Sequence, residues 1–217
     1  MLSLRERRAL RVDVHENLTQ AIARGHFKPG ERIVESRVAR ELGVSQTVVR
    51  EALRELEATG LVVYSTNRGC VVRKLERSDI DEMYEMRALL EGEAARRAAE
   101  RLTSDQIDEL DKLVEEMDEL AQAGETTAMI ERDVRFHQII CEAADHRLLL
   151  RLWLSINPAI WTQFAVVGVL QLPPEVIAQR HQAVVDALRS GDPAEAQMVM
   201  VNHLLELSEL ADRNLEA

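Results

Sequence analysis

Glu35-Ser36-Arg37-Val38-Ala39-Arg40-Glu41-Leu42-Gly43-Val44-Ser45-Gln46-Thr47-Val48-Val49-Arg50-Glu51-Ala52-Leu53 decides the fold of the first third of the chain. Glu35 to Leu42 makes a short helix. Gly43 supplies the tight turn after it, because glycine reaches the left-handed backbone at a helix end without steric cost. Ser45 is placed to cap a third helix ending near Thr59, with Gly60 as its stop. Upstream, Val14, Leu18, Ala21 and Ile22 share one face of a first helix, Arg7 to Arg24. Gly25 and the Lys28-Pro29-Gly30 turn close it. Downstream, Leu61-Val62-Val63-Tyr64 and Cys70-Val71-Val72 read as two short strands, with Ser65 to Gly69 as the hairpin loop. Three helices and a β-hairpin give a winged helix-turn-helix over residues 1–75.

From Ser78 onward the pattern is helical throughout. One helix runs from Ser78 towards Arg101. Thr103 and Gln106 form a capping box for the next, whose Ile107, Leu110, Leu113, Val114, Met117, Leu120 and Ala121 make an apolar face. Further helices are expected over 126–144, 147–168 and 174–190. Gly191-Asp192-Pro193 starts the last, with Asp192 as N-cap, Pro193 at the first position and Glu195 at the third. The expected fold class is mainly α. The winged helix is followed by an all-α antiparallel bundle of about six helices over residues 78–217.

Charge divides at the same boundary. The chain of 217 residues carries a formal net charge of −11, which taken whole argues against nucleic acid. Residues 1–77 hold 15 Lys and Arg against 10 Asp and Glu, a net of +5, and the remainder has a net of −16. A basic third on an acidic body suits local binding to phosphate. The two cysteines, Cys70 and Cys141, form no CxxC pair and point to a reducing cytoplasm. The longest apolar run, about Phe164 to Leu170, is too short to span a bilayer. No membrane partner is expected.

In a helix-turn-helix the N-terminus of the second helix of the motif reaches base edges in the major groove. Those residues are Ser45, Gln46, Thr47 and, one turn on, Arg50. An amide suits adenine in a bidentate pairing, and Arg50 suits a guanine or a phosphate. Arg68 and Gly69, at the wing, are placed for the minor groove or the backbone. The same residues also read as solvated polar positions on an ordinary helix. In the bundle, Asp133 and His137 lie one turn apart on one helix face, with His181 and His203 on two later helices. One carboxylate and three imidazoles suit zinc or another divalent transition ion. Each histidine alone reads better as a packed or surface residue than as a ligand. Cys141 continues the same face and reads better as a small core residue than as a ligand.

Val34 to Ser45, with Thr47, Val49-Arg50-Glu51-Ala52-Leu53, Leu56, Gly60-Leu61-Val62 and Arg68-Gly69-Cys70-Val71-Val72, resembles the GntR family of bacterial transcription regulators. Ile22-Ala23-Arg24-Gly25 and Pro29-Gly30-Glu31 fit the same pattern. The family commonly has Arg where Gln46 stands, Pro where Val48 stands and often Glu where Arg37 stands. Typical operator preferences therefore do not transfer, and Arg37 adds a positive charge at the backbone. The segment from Ser78 onward resembles the FadR C-terminal domain in its shorter form. The resemblance rests on Tyr84-Glu85-Met86-Arg87 with Leu90-Glu91, Asp133-Val134-Arg135-Phe136-His137, His181-Gln182-Ala183-Val184 with Ala187-Leu188, and His203-Leu204.

That resemblance implies a divalent metal on Asp133, His137, His181 and His203, zinc first and nickel or manganese as alternatives. It also implies a small-molecule carboxylate effector above the metal. Arg87 is a candidate clamp for that carboxylate, with a salt bridge to Glu91 as the competing reading. Asn157 and Gln163 are further effector candidates, and Trp161 reads better as core. The implied protein is a homodimer on double-stranded operator DNA, more often a repressor in this family, with no catalytic residues. Two other readings stand beside it: a metal-responsive regulator without an organic effector, and a metal-dependent hydrolase. The hydrolase lacks an HExxH-type motif to supply its general base.

Overall fold

A computed structural model describes residues 4–23, 25–65, 69–74, 76–156, 158–163, 166 and 172–215. The chain divides into two compact units, Met1–Leu75 and Glu76–Ala217. In the first, α1 (Leu4–Ala23), α2 (Glu35–Leu42) and α3 (Gln46–Ala58) precede β1 (Val62–Ser65) and β2 (Gly69–Val72). Helices α1 and α2 and strand β1 all pack against α3. Val14, Leu18 and Ile22 of α1 and Val49, Ala52, Leu53 and Leu56 of α3 are buried. Each of the valine, leucine and isoleucine side chains contributes about 1.5–3 kcal/mol when removed from water, and the Ala52 methyl less. Gly43 ends α2 at φ +66°, and its N–H bonds to the Ala39 carbonyl.

The hairpin pairs Val62 with Val72 and Ser65 with Gly69, antiparallel. The strands therefore begin one residue later and one residue earlier than the sequence pattern gives. A feature beyond the expected turn at Lys28-Pro29-Gly30 is an extended stretch along β2. Gly30 N–H donates to Val72 O, Val72 N–H to Glu31 O and Ile33 N–H to Cys70 O, each at 2.9 Å. Ile33, 2% exposed, fixes that stretch to the core.

The second unit comprises α4 (Arg77–Ala98), α5 (Ser104–Gln122), α6 (Thr126–Ala143), α7 (Arg147–Ile156), α8 (Pro158–Gln163), α9 (Pro174–Ala178), α10 (His181–Ser190) and α11 (Pro193–Leu215). The caps are those the sequence predicts. Gln106 N–H donates to Thr103 Oγ1 at 3.3 Å, Thr103 N–H donates to Gln106 Oε1 at 3.0 Å, and Asp192 Oδ1 accepts from Ala194 N–H at 2.8 Å. Helices α4 and α11 share the largest interface of the unit. Their approach needs Gly92, since a Cβ there would lie 2.6 Å from Val201 Cγ2.

Eight helices stand among the described residues where about six were expected, because two stretches are interrupted. Pro158, which has no N–H to donate, takes the first position of α8 and separates it from α7. Between α9 and α10 the His181 ring nitrogen Nδ1 lies 3.0 Å from Ile177 O, a carbonyl that a continuous helix would use for the backbone ladder. No described helix is long and apolar enough to cross a membrane.

Candidate functional site

Helix α6 carries Asp133 and His137 one turn apart, α10 begins with His181, and α11 supplies His203. All four side chains are buried, with His181 at 0% and His137 at 1% exposed. Ligand atoms of the three histidines lie within 4.8 Å of one another. Asp133 Oδ1 joins them, 3.0 Å from His181 Nε2 and 3.8 Å from His137 Nε2. The His181 Nδ1 faces two carbonyls, Ile177 O at 3.0 Å and Ala178 O at 3.4 Å. Both are acceptors, so Nδ1 carries a proton, and Nε2 faces Asp133 either as a lone pair open to a cation or as a second N–H. Two acceptors 3.0 Å apart in a buried place repel unless a cation or proton stands between them.

Four buried polar atoms here have no assigned hydrogen-bond partner among the described residues: Asp133 Oδ2, His137 Nδ1, His181 Nε2 and His203 Nδ1. His137 Nδ1 nevertheless lies 2.5 Å from Glu91 Oε2, which turns that nitrogen to Glu91 and leaves Nε2 on the Asp133 side. One unsatisfied buried group costs about 1–3 kcal/mol. A single divalent ion on imidazole nitrogens and a carboxylate oxygen is the kind of partner that would relieve several of them together, so the residues fit such an ion. The charge states agree. Burial alone raises the Asp133 carboxyl pKa, yet His181, His137 and Arg87 together hold it below the ordinary value, and it stays ionised. Burial, followed by His181 and His137, pushes the His203 ring well below the ordinary histidine value, so it stays neutral, the form that ligates metals.

A second buried network adjoins the cluster. Glu91, 0% exposed, accepts from Arg87 Nε at 2.6 Å and from Trp153 Nε1 at 2.8 Å. Arg87 Nη1 donates to Thr162 Oγ1 at 3.2 Å, and its guanidinium carbon lies 5.3 Å from the centre of the Tyr84 ring. Burial raises the Glu91 carboxyl, but Arg87 and His137 outweigh it and hold the carboxyl far below its usual range. The space between the histidines, Arg87, Tyr84, Thr162 and Arg180 measures about 10 Å³, room for one ion or water.

Arg87 thus lines the cavity while its Nε edge is taken by Glu91. Asn157 lies outside the described residues. Gln163 ends α8, with its side chain outside them. Trp161 is largely buried. Cys141 lies outside the ligand group, and burial pushes its thiol far up, as for a packed core residue. Sequence reasoning missed Tyr84, Thr162 and Arg180 as wall residues and saw Glu91 only as a partner of Arg87. The spacing from Arg87 to Glu91 was the one signal available.

In the first unit, Ser45, Gln46, Thr47 and Arg50 are exposed at the start of α3. Ser45 caps the helix through a long contact, Val48 N–H to Oγ at 3.4 Å. Arg37 is exposed on α2 and pairs with Glu41 at 2.8 Å. Gly69 opens β2 at φ +70°, and Arg68 lies outside the described residues. Arg50 is ion-paired with Glu35 at 2.8 Å.

A family profile for bacterial regulatory proteins of the gntR family matches residues 10–72, and an FCD domain profile matches residues 82–206. A protein of Paenarthrobacter nicotinovorans described as "Probable D-xylose utilization operon transcriptional repressor" is 34% identical over 191 residues, 88% of this chain and 84% of that one. The HTH-type transcriptional repressor RspR of Escherichia coli K12 is 26% identical over 200 residues, covering 90% and 86%. The solved structure of E. coli McbR/YncC shares the fold with a TM-score of 0.77 at 20% identity, covering 99% of this chain and 100% of that one. These are regulators and not enzymes, which removes the hydrolase reading. The chain belongs to the GntR family of DNA-binding transcriptional regulators, with an FCD domain behind its winged helix.

Proposed function

We propose that this regulator is a homodimeric repressor whose operator affinity is set at the histidine cluster of the FCD unit. A divalent metal held by Asp133, His137, His181 and His203 is the sensor's core, zinc first, with nickel or manganese as alternatives. When bound, it supplies a Lewis-acidic centre with open positions for a carboxylate. Ser45, Gln46, Thr47, Arg50, Arg37, Arg68 and Gly69 serve the operator DNA, and Arg87, Asn157 and Gln163 serve the effector. The observation that carries the metal assignment is the convergence of three buried imidazoles and the Asp133 carboxylate on one small space, with His181 Nε2, His203 Nδ1 and Asp133 Oδ2 lacking partners among the described residues. A ligand that prefers one arrangement of the dimer shifts operator affinity by its differential binding to the two.

The size of that space favours a second reading. About 10 Å³ holds an ion but no organic acid, so an effector must open the cavity at some cost. A regulator answering to the metal alone needs no opening. Calorimetric titration of zinc into chelator-stripped full-length protein tests the shared part of both readings. One equivalent per chain, lost in His181→Ala and His203→Ala with the fold retained by circular dichroism, is the expected result. No binding by the wild type would sink both.

A further inference from the structure

Arg50 is not a free side chain. Its Nε and Nη2 both lie on Glu35 Oε2, at 3.0 and 2.8 Å, and Nε also reaches Oε1 at 3.3 Å. Glu35 is fixed in turn by the Tyr64 hydroxyl, which donates to Oε1 at 3.1 Å. Tyr64 is itself tied to α3, since its backbone N–H donates to Glu57 Oε1 at 3.1 Å. The Glu35 side chain is 20% exposed and that of Arg50 50%, so the carboxylate lies inward and the guanidinium outward. Glu35 also occupies the first position of α2, where the helix dipole favours a negative charge. Glu35, Tyr64 and Gln46 line one cleft at the start of α3.

A guanidinium has five N–H donors in a fixed fork. Glu35 occupies the edge made by Nε and one side of Nη2. No described residue takes a hydrogen bond from the edge made by Nη1 and the other side of Nη2, and that edge offers the two parallel donors a guanine needs at O6 and N7. We infer that Glu35, held by Tyr64, is a positioning residue that aims the open edge of Arg50 at one guanine in the operator. The inference rests on the reading of α3 as the helix that enters the DNA groove. It gives Arg50 a base-reading role that a freely rotating arginine, equally suited to any phosphate, would not have.

The two effects of Glu35 on DNA have opposite signs, and this separates positioning from mere structure. Its carboxylate repels phosphate on any sequence, whereas its hold on Arg50 helps at one base pair only. Selection of bound sequences from a random duplex library, using the full chain at fixed salt, identifies the preferred site. Anisotropy on that site and on a scrambled duplex then measures discrimination. Wild type is expected to enrich a motif containing one G·C pair that Arg50→Ala no longer enriches. Glu35→Gln should lose preference at that same pair by roughly ten- to hundredfold while binding the scrambled duplex a few-fold more tightly. Tyr64→Phe should give a smaller loss at the same pair, and Glu35→Gln with Arg50→Ala should be no less selective than Arg50→Ala alone. Retained preference at that pair in Glu35→Gln, or equal weakening on both duplexes, overturns the inference. A wild-type motif that Arg50→Ala leaves unchanged overturns it by removing Arg50 as a reader. Absence of any enriched motif brings down the assignment of α3 itself.

Discussion

Replacing Glu91 with Gln keeps the shape of the side chain and an acceptor for Trp153 Nε1, but removes the only carboxylate hydrogen-bonded to Arg87 among the described contacts. Arg87 is 1% exposed, so its charge remains buried without a hydrogen-bonded counter-ion, and only the more distant Asp133 carboxylate still offsets it. Breaking one side of a buried pair costs about 3–5 kcal/mol, far more than a surface pair. With a urea m-value of about 2 kcal/mol/M for a unit of this size, the midpoint should fall by about 1.5–2.5 M. Both tryptophans of the chain, Trp153 and Trp161, lie in the second unit, so tryptophan fluorescence, excited selectively over Tyr64, reports that unit alone. The measurement is made with chelator present, so that no metal contributes. Arg87→Met with Glu91→Leu should recover most of the loss, because an apolar pair of similar volume leaves no charge stranded. A midpoint shift in Glu91→Gln below about 0.3 M, which that m-value converts to under about 0.6 kcal/mol, would refute the reasoning.

Acid should destabilise the chelated protein in two stages. His203, Glu91 and Asp133 are all held below their ordinary values, so each contributes stability above its unfolded pKa and loses it as pH falls. The decline should begin below about pH 6.5, where His203 would protonate in the unfolded chain, and steepen below about pH 4.5. His203→Gln should remove the upper stage, and urea midpoints taken from pH 8 to pH 4 check it. Gly92→Ala should cost up to about 2 kcal/mol, since overpacking against stiff Val201 outweighs a propensity gain of about 1 kcal/mol. Adding Val201→Ala should restore part of that, read by the same fluorescence. Ser45→Ala should cost only about 0.5 kcal/mol, the low end for a cap, because its 3.4 Å contact is long.

The winged helix was legible because its signals are local. A glycine at φ +66° after α2, a serine cap and two β-branched runs each declare themselves within a few residues. The stretch from Gly30 to Ile33 did not, since its partners Cys70 and Val72 are far along the chain on β2 and its turn residues masked it. On α6, the four-residue step placed Asp133 and His137 together, whereas the meeting of His181 and His203 with them depends on how three helices pack. Resemblance supplied that expectation, and spacing could not. Glu91 and Arg50 teach the same lesson from opposite sides. A glutamate four residues after an arginine is usually a solvated pair, and nothing in the sequence shows that this one is 0% exposed. Glu35 and Arg50 are 15 residues apart on separate helices, so their pairing follows only from the angle between them. The break between α9 and α10 was hidden for a related reason, since nothing in the sequence shows the His181 ring turning Nδ1 back onto the Ile177 carbonyl.

The central claim couples the histidine cluster to DNA, and fluorescence anisotropy tests it most directly. Full-length protein is titrated onto a duplex from its own upstream region at fixed salt, zinc-loaded or chelated, with and without a panel of small carboxylic acids. The account predicts tight binding by one state of the metal site, weakened by at least one acid in the loaded protein and by none in His181→Ala. Identical affinity with zinc, with chelator and with every acid would contradict it.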